Sequence, residues 1–221
     1  MVYVMPYAVA IPGLDEFLND QPFISIQPSN GNPLLLEGDF QFCAEHEGHP
    51  RINDTYNLQI SIPRDFPRRT PTVTEIGGRI PRVDDFHVNG NGTLCLGSRI
   101  RLMARLQAEP TIQGFSKNCI VPYLYAMSLK LTHGQDFIFG ELRHGVHGEL
   151  DDYKELLGLK RNDRVVPALL CLLKKKRLAN KMPCPCGCKK RLGKCDLNVT
   201  VRKFRSILPK AWLREVVTGK R

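Results

Sequence analysis

LQISIPRDFPRRTPTV (58–73) runs through a short linker into HVNGNGTLCLG (87–97), and these two segments decide how the chain is read. In the first, Leu58, Ile60 and Ile62 alternate with polar residues, the period of a half-buried strand. Pro63, Pro67 and Pro71 then remove ladder donors and force a turn, after which Thr72–Ile76 resumes strand content. In the second, Gly90, Gly92 and Gly97 with Asn89 and Asn91 place Cys95 in a long loop, expected to be held by something other than ladder hydrogen bonds. A thiol there is open to chemistry, whereas a thiol between apolar neighbours in a regular element is a small core residue.

Upstream, Phe23–Gln27 and Leu34–Glu45 also read as strands, the latter alternating at Phe40 and Phe42, with Asn30-Gly31-Asn32-Pro33 as the turn between them. Joined to Tyr56–Ile62 and Thr72–Ile76 they predict a four-strand antiparallel meander. Leu14, Phe17 and Leu18 behind Pro12 predict a short first helix over Gly13–Asp20. Downstream, Ile112, Phe115, Cys119, Ile120, Leu124, Met127 and Leu131 recur every three or four residues, a buried helix in spite of Pro122, with Cys119 in its core face. His144-Gly145-Val146-His147-Gly148 reads as a turn before a helix carrying Leu150, Tyr153, Leu156 and Leu157, and Val165–Leu173 is a further apolar run. The fold class is α+β.

Charge divides the chain. Residues 1–159 hold 13 basic against 19 acidic side chains, and residues 160–221 hold 19 against 3. This sets a domain at 1–159 apart from a basic helical tail at 160–221, and so strong an excess draws polyanions. The opening Met1–Pro12 is apolar but broken by Pro6 and Pro12 and too short to span a bilayer, so a cytoplasmic protein with no membrane span is expected. In that reducing setting clustered thiols bind metal. MPCPCGCKKRLGKCDLN (182–198) carries Cys184, Cys186, Cys188 and Cys195 with Gly187 and Gly193 for tight turns, and structural zinc suits such a set.

The order strand, proline-rich turn, strand, His87-x-Asn89 and Asn91-Gly92-x-x-Cys95-Leu96 resembles the ubiquitin-conjugating enzymes over roughly residues 13–157. The resemblance implies their fold: a short N-terminal helix, a four-strand antiparallel meander and C-terminal helices, here followed by a small zinc-binding tail. It implies that Cys95 carries an acyl group as a thioester, that Asn89 is the motif asparagine donating to the oxyanion, and that His87 is the motif histidine, more a loop-shaping residue than a base. Val88 stands where the family has proline, and the spacer from Asn89 to Cys95 is shorter than usual. The chemistry agrees with the type of residue: a thiol accepts an acyl group and gives it up to an amine. Ser98, opening a helical turn, and Arg99 and Arg101 are expected to favour the thiolate.

The tail resembles the SEC-C zinc motif of bacterial proteins through Cys184, Cys186 and Cys195, with Cys188 or Asp196 as the fourth ligand. Together these resemblances imply a bacterial conjugating enzyme of an antiphage operon. It would take the C-terminal glycine of a partner, such as a cGAS-like nucleotidyltransferase, and pass it to an acceptor lysine. Two other readings stand beside it: a non-catalytic adaptor that binds a ubiquitin-like protein, and a nucleic-acid-binding protein using the basic tail.

Overall fold

The computed structural model describes residues 11–28, 33–134, 137–138 and 145–219. The elements are α1 (Leu14–Asp20), β1 (Ile24–Gln27), β2 (Leu34–Ala44), β3 (Ile52–Ile62) and β4 (Thr72–Glu75). They are followed by α2 (Arg99–Ala108), α3 (Ile112–Phe115), α4 (Val121–His133), α5 (Gly145–Leu156), α6 (Val165–Leu173), α7 (Lys176–Ala179), α8 (Leu197–Ile207) and α9 (Lys210–Thr218). The chain is α+β, and its strands form one antiparallel sheet in the order β1-β2-β3-β4.

Alternation sets the sheet's faces. Leu36, Phe40, Phe42, Tyr56, Leu58, Ile60 and Ile62 are buried, while Gln41, Asp39 and Thr55 turn outward or lie at the margin. β3 begins at Ile52, four residues before the apolar alternation starts at Tyr56, because its polar first half pairs with β2 through Cys43↔Asn53 and Phe42↔Asp54. The turn expected at Asn30–Asn32 lies outside the described residues. Gly38 pairs with Ile24 at φ 145°, where an added Cβ would stand 2.0 Å from the Phe23 carbonyl oxygen. Gly38→Ala is therefore expected to cost about 2 kcal/mol or more, read as a fall in the urea or thermal midpoint.

α4 lies against β2 and β3, and its approach shows why Pro122 is tolerated. Proline has no N–H to offer the Asn118 carbonyl, and just ahead of it the ladder widens to a π turn over Ser116–Ile120. Cys119 is buried there, as the spacing predicts. At α5 the sequence reading is corrected: Gly145–Gly148 is already helical rather than a turn, and His144 lies outside the described residues.

The chain forms two compact units. One comprises Met1–Gly97 and Glu109–Glu141, the other Ser98–Ala108 and Leu142–Arg221. This partition differs from a division at 159/160, and apolar burial explains the difference. Ile100 and Met103 of α2 and Tyr153 and Leu157 share one core with Val165, Leu169, Leu172, Val201, Phe204 and Trp212. Asp152, also buried, accepts from Ser98 Oγ and from the Arg101 guanidinium, and Arg205 Nη2 donates to the Cys171 carbonyl at 2.6 Å. Among the described residues no helix is long and apolar enough to cross a membrane.

Candidate functional site

The Cys95 loop is more regular than its composition indicates, which corrects the expectation of a backbone without ladder bonds. Val88 and Leu94 form an antiparallel bridge, Asn89 N–H donates to the Thr93 carbonyl at 2.8 Å, and Cys95 N–H donates to the His87 carbonyl at 2.7 Å. Gly92 N–H closes the tip onto the Asn89 carbonyl at 2.8 Å, with Gly92 itself at φ 83°. These bonds make a small hairpin with a three-residue loop, a type that calls for glycine at the left-handed position. The hairpin is tied to the sheet through Leu94 N–H to the Val73 carbonyl at 2.7 Å and a Thr74↔Thr93 bridge.

Alternation along this hairpin assigns the side chains. Val88 and Leu94 are buried, so Asn89, Thr93 and Cys95 belong to the opposite face, where Asn89 is exposed and Thr93 and Cys95 are half-buried. Asn89 Nδ2 donates to Thr93 Oγ1 at 3.0 Å. His87 departs from the pattern. At φ 51° it is one of two non-glycine residues with positive φ among the described residues, and its ring is buried with its centroid 4.4 Å from that of Phe137. A buried ring packed on phenylalanine suits a loop-shaping role better than proton transfer.

Tyr123 reaches the same region from α4. Its hydroxyl donates to the Phe86 carbonyl at 2.9 Å, and its pKa is raised, first by burial and next by the charge a Cys95 thiolate would place beside it. Tyr123 thus brings a buried hydroxyl to the start of the hairpin, a placement that sequence spacing did not reveal. Arg99 and Arg101 are engaged inside the second unit: Arg99 lies over the Trp212 ring at 5.8 Å, and Arg101 pairs with Asp152. The other cysteines divide clearly. Cys119 and Cys171 are buried, and Cys43 is exposed on β2 with Arg51 Nε 3.0 Å from its sulfur.

In the second unit, residues 180–195 fold back on themselves through Gly193 N–H to Asn180, Leu192 N–H to Met182 and Cys184 N–H to Lys190 carbonyls. This fold brings the four sulfurs of Cys184, Cys186, Cys188 and Cys195 within 4.8 Å of one another, with 3.2 Å between Cys184 and Cys186 and 3.6 Å between Cys186 and Cys195. A tetrahedral ion with metal–sulfur bonds of about 2.3 Å needs sulfurs roughly 3.8 Å apart, so the donor set can hold one ion. Cys188 is in the converging group, whereas Asp196 is exposed at the start of α8. Burial pushes the Cys184 thiol up. Burial also opposes ionisation of Cys186, but hydrogen bonds from Cys184, the backbone and the other sulfurs outweigh it and bring Cys186 down to about 7. No family model, curated protein or solved structure matches the chain.

Proposed function

We propose that the chain is a transferase with a ubiquitin-conjugating-like catalytic fold that carries a partner's C-terminal glycine as a thioester on Cys95 and passes it to a lysine. One observation carries the reading. Cys95 is half-buried on the same face of a sheet-anchored hairpin as an exposed amide, Asn89, while Cys119 and Cys171 are buried. A thiol with an amide donor nearby has what acyl transfer requires, a nucleophile and a group to stabilise the oxyanion. His87 contributes the backbone carbonyl that receives Cys95 N–H. The tail holds one structural zinc ion through Cys184, Cys186, Cys188 and Cys195, and the ion's chemistry is to cross-link that segment. The test is to co-express the chain with its genomic neighbours and, separately, with a cGAS-like nucleotidyltransferase. An adduct cleaved by thiol reductant supports transfer; a tight complex without any adduct makes the chain an adaptor instead.

A second reading is favoured by the surface of the tail. Lys174–Arg177, Lys181, Lys189–Arg191, Lys194, Arg202 and Lys203 are exposed, and between residues 174 and 214 the acidic side chains number one, Asp196. Tyr153, Phe204 and Trp212 are all buried, so no aromatic platform from these residues is offered for stacking bases. This surface suits the phosphate backbone of a duplex. Binding of a mixed-sequence DNA duplex is expected to weaken by about a thousandfold between 50 and 200 mM salt if some six phosphates are neutralised. A titration by fluorescence anisotropy checks it, and salt-independent or undetectable binding removes this reading.

A further inference from the structure

The Cys95 hairpin contains a chain of hydrogen bonds whose direction can be worked out link by link. Thr93 N–H lies 3.2 Å from a side-chain atom of Asn91; a backbone N–H only donates, so that atom is the carbonyl oxygen Oδ1. Thr93 Oγ1 is 2.7 Å from the same Oδ1, which only accepts, so the hydroxyl spends its one proton there. Lone pairs alone are then left on Thr93 Oγ1, and the Asn89 atom 3.0 Å away is the donor Nδ2. A single backbone N–H thus sets the polarity of all three links. Flipping the Asn89 amide would set one oxygen's lone pairs against another's.

We infer that Thr93, oriented by Asn91, is a positioning residue for transfer from Cys95: it holds the Asn89 amide by one N–H and leaves the second for the acyl oxygen. The inference rests on the thioester reading and names what sets the donor's geometry. Asn89 sits across the hairpin from Thr93 and is the diagonal neighbour of Cys95, a relation that spans about 7–8 Å between backbones. The inference requires that an acyl group on Cys95 Sγ bridge that separation. A donor held in place before reaction stabilises an oxyanion without reorganising, whereas a freely rotating amide must first be ordered.

The experiment is single-turnover discharge of a preloaded Cys95 thioester to free lysine. Thr93→Val keeps the shape of the side chain and removes the acceptor. It is expected to slow discharge about five- to tenfold, the worth of one hydrogen bond, with loading within about twofold of the parent. Thr93→Ser keeps the hydroxyl and restores the rate. If Thr93 acts only through Asn89, the double variant Asn89→Ala with Thr93→Val is no slower than Asn89→Ala alone. Parent-like discharge by Thr93→Val overturns the inference, and so do multiplying effects in the double variant. Equal loss of loading and discharge that serine does not restore also overturns it and makes Thr93 a loop-stability residue. Failure of the parent chain to form any thioester is a different result, which defeats the Cys95 reading itself and the inference with it.

Discussion

Cys95→Ala is expected to abolish the covalent adduct, and Cys95→Ser to replace it with one that reductant no longer cleaves. The argument is chemical. A thioester exchanges with small thiols, an oxyester does not, and alanine offers no nucleophile. On the proposed reading the thiol is the bond-forming atom rather than an aid to another group, so its removal should lower transfer by on the order of a thousandfold or more. Cys119→Ala and Cys171→Ala act as controls, since both thiols are buried and neither can meet a protein partner without unfolding. Intact mass with and without reductant, followed by peptide mapping, reads all four variants. An adduct that survives Cys95→Ala would move the chemistry to another residue and end the proposal.

The second large effect concerns the tail. Cys184→Ser, Cys195→Ser or chelation is expected to release about one equivalent of zinc and to unfold more than the cysteine hairpin. Structural zinc contributes roughly 10–16 kcal/mol in small domains, as much as the whole stability of many folded proteins. Cys184, Leu192 and Leu197 belong to the same buried cluster as Ile100, Met103 and Tyr153. Proteolysis of zinc-free protein should therefore cut in α2 and α5 as well as beyond residue 160, while the sheet survives. Thiolates must be deprotonated to bind metal, so acid should release the ion, with one proton taken up for each thiolate freed. Cys188→Ser should weaken retention and Asp196→Ala should not, as only Cys188 stands with the other sulfurs. Metal-free protein with a protease-resistant tail would overturn this expectation.

What the sequence made legible follows physical lines. Leu58, Ile60 and Ile62 announced β3 because a buried face imposes a period of two, and four cysteines in twelve residues announced a converging set of sulfurs able to hold a metal ion. The Cys95 hairpin was hidden because its pairing is brief and its residues are those of loops. Isolated bridges such as Val88↔Leu94 leave no periodic trace. The Asn91–Thr93–Asn89 relay had a weak signal, an asparagine two residues before a threonine next to glycine, the composition of side-chain-closed turns. Asp152 gave none, since a carboxylate on a helix reads as solvated until Ser98 and Arg101 are placed against it. The division at 159/160 followed charge, but packing follows apolar contact, and Ile100 and Met103 sit in a run of arginines that masks their spacing.

The split make-up of the second unit has a consequence for how the molecule is made. α2 leaves the ribosome more than a hundred residues before α9, so at about 5–20 residues per second its apolar side waits on the order of ten seconds for its partners. During that wait Ile100 and Met103 have no native cover from α6, α8 or α9, and the nascent chain exposes a sticky, cationic helix. Truncation at residue 159 would make that transient condition permanent. A shortened chain should then require chaperone binding or precipitate.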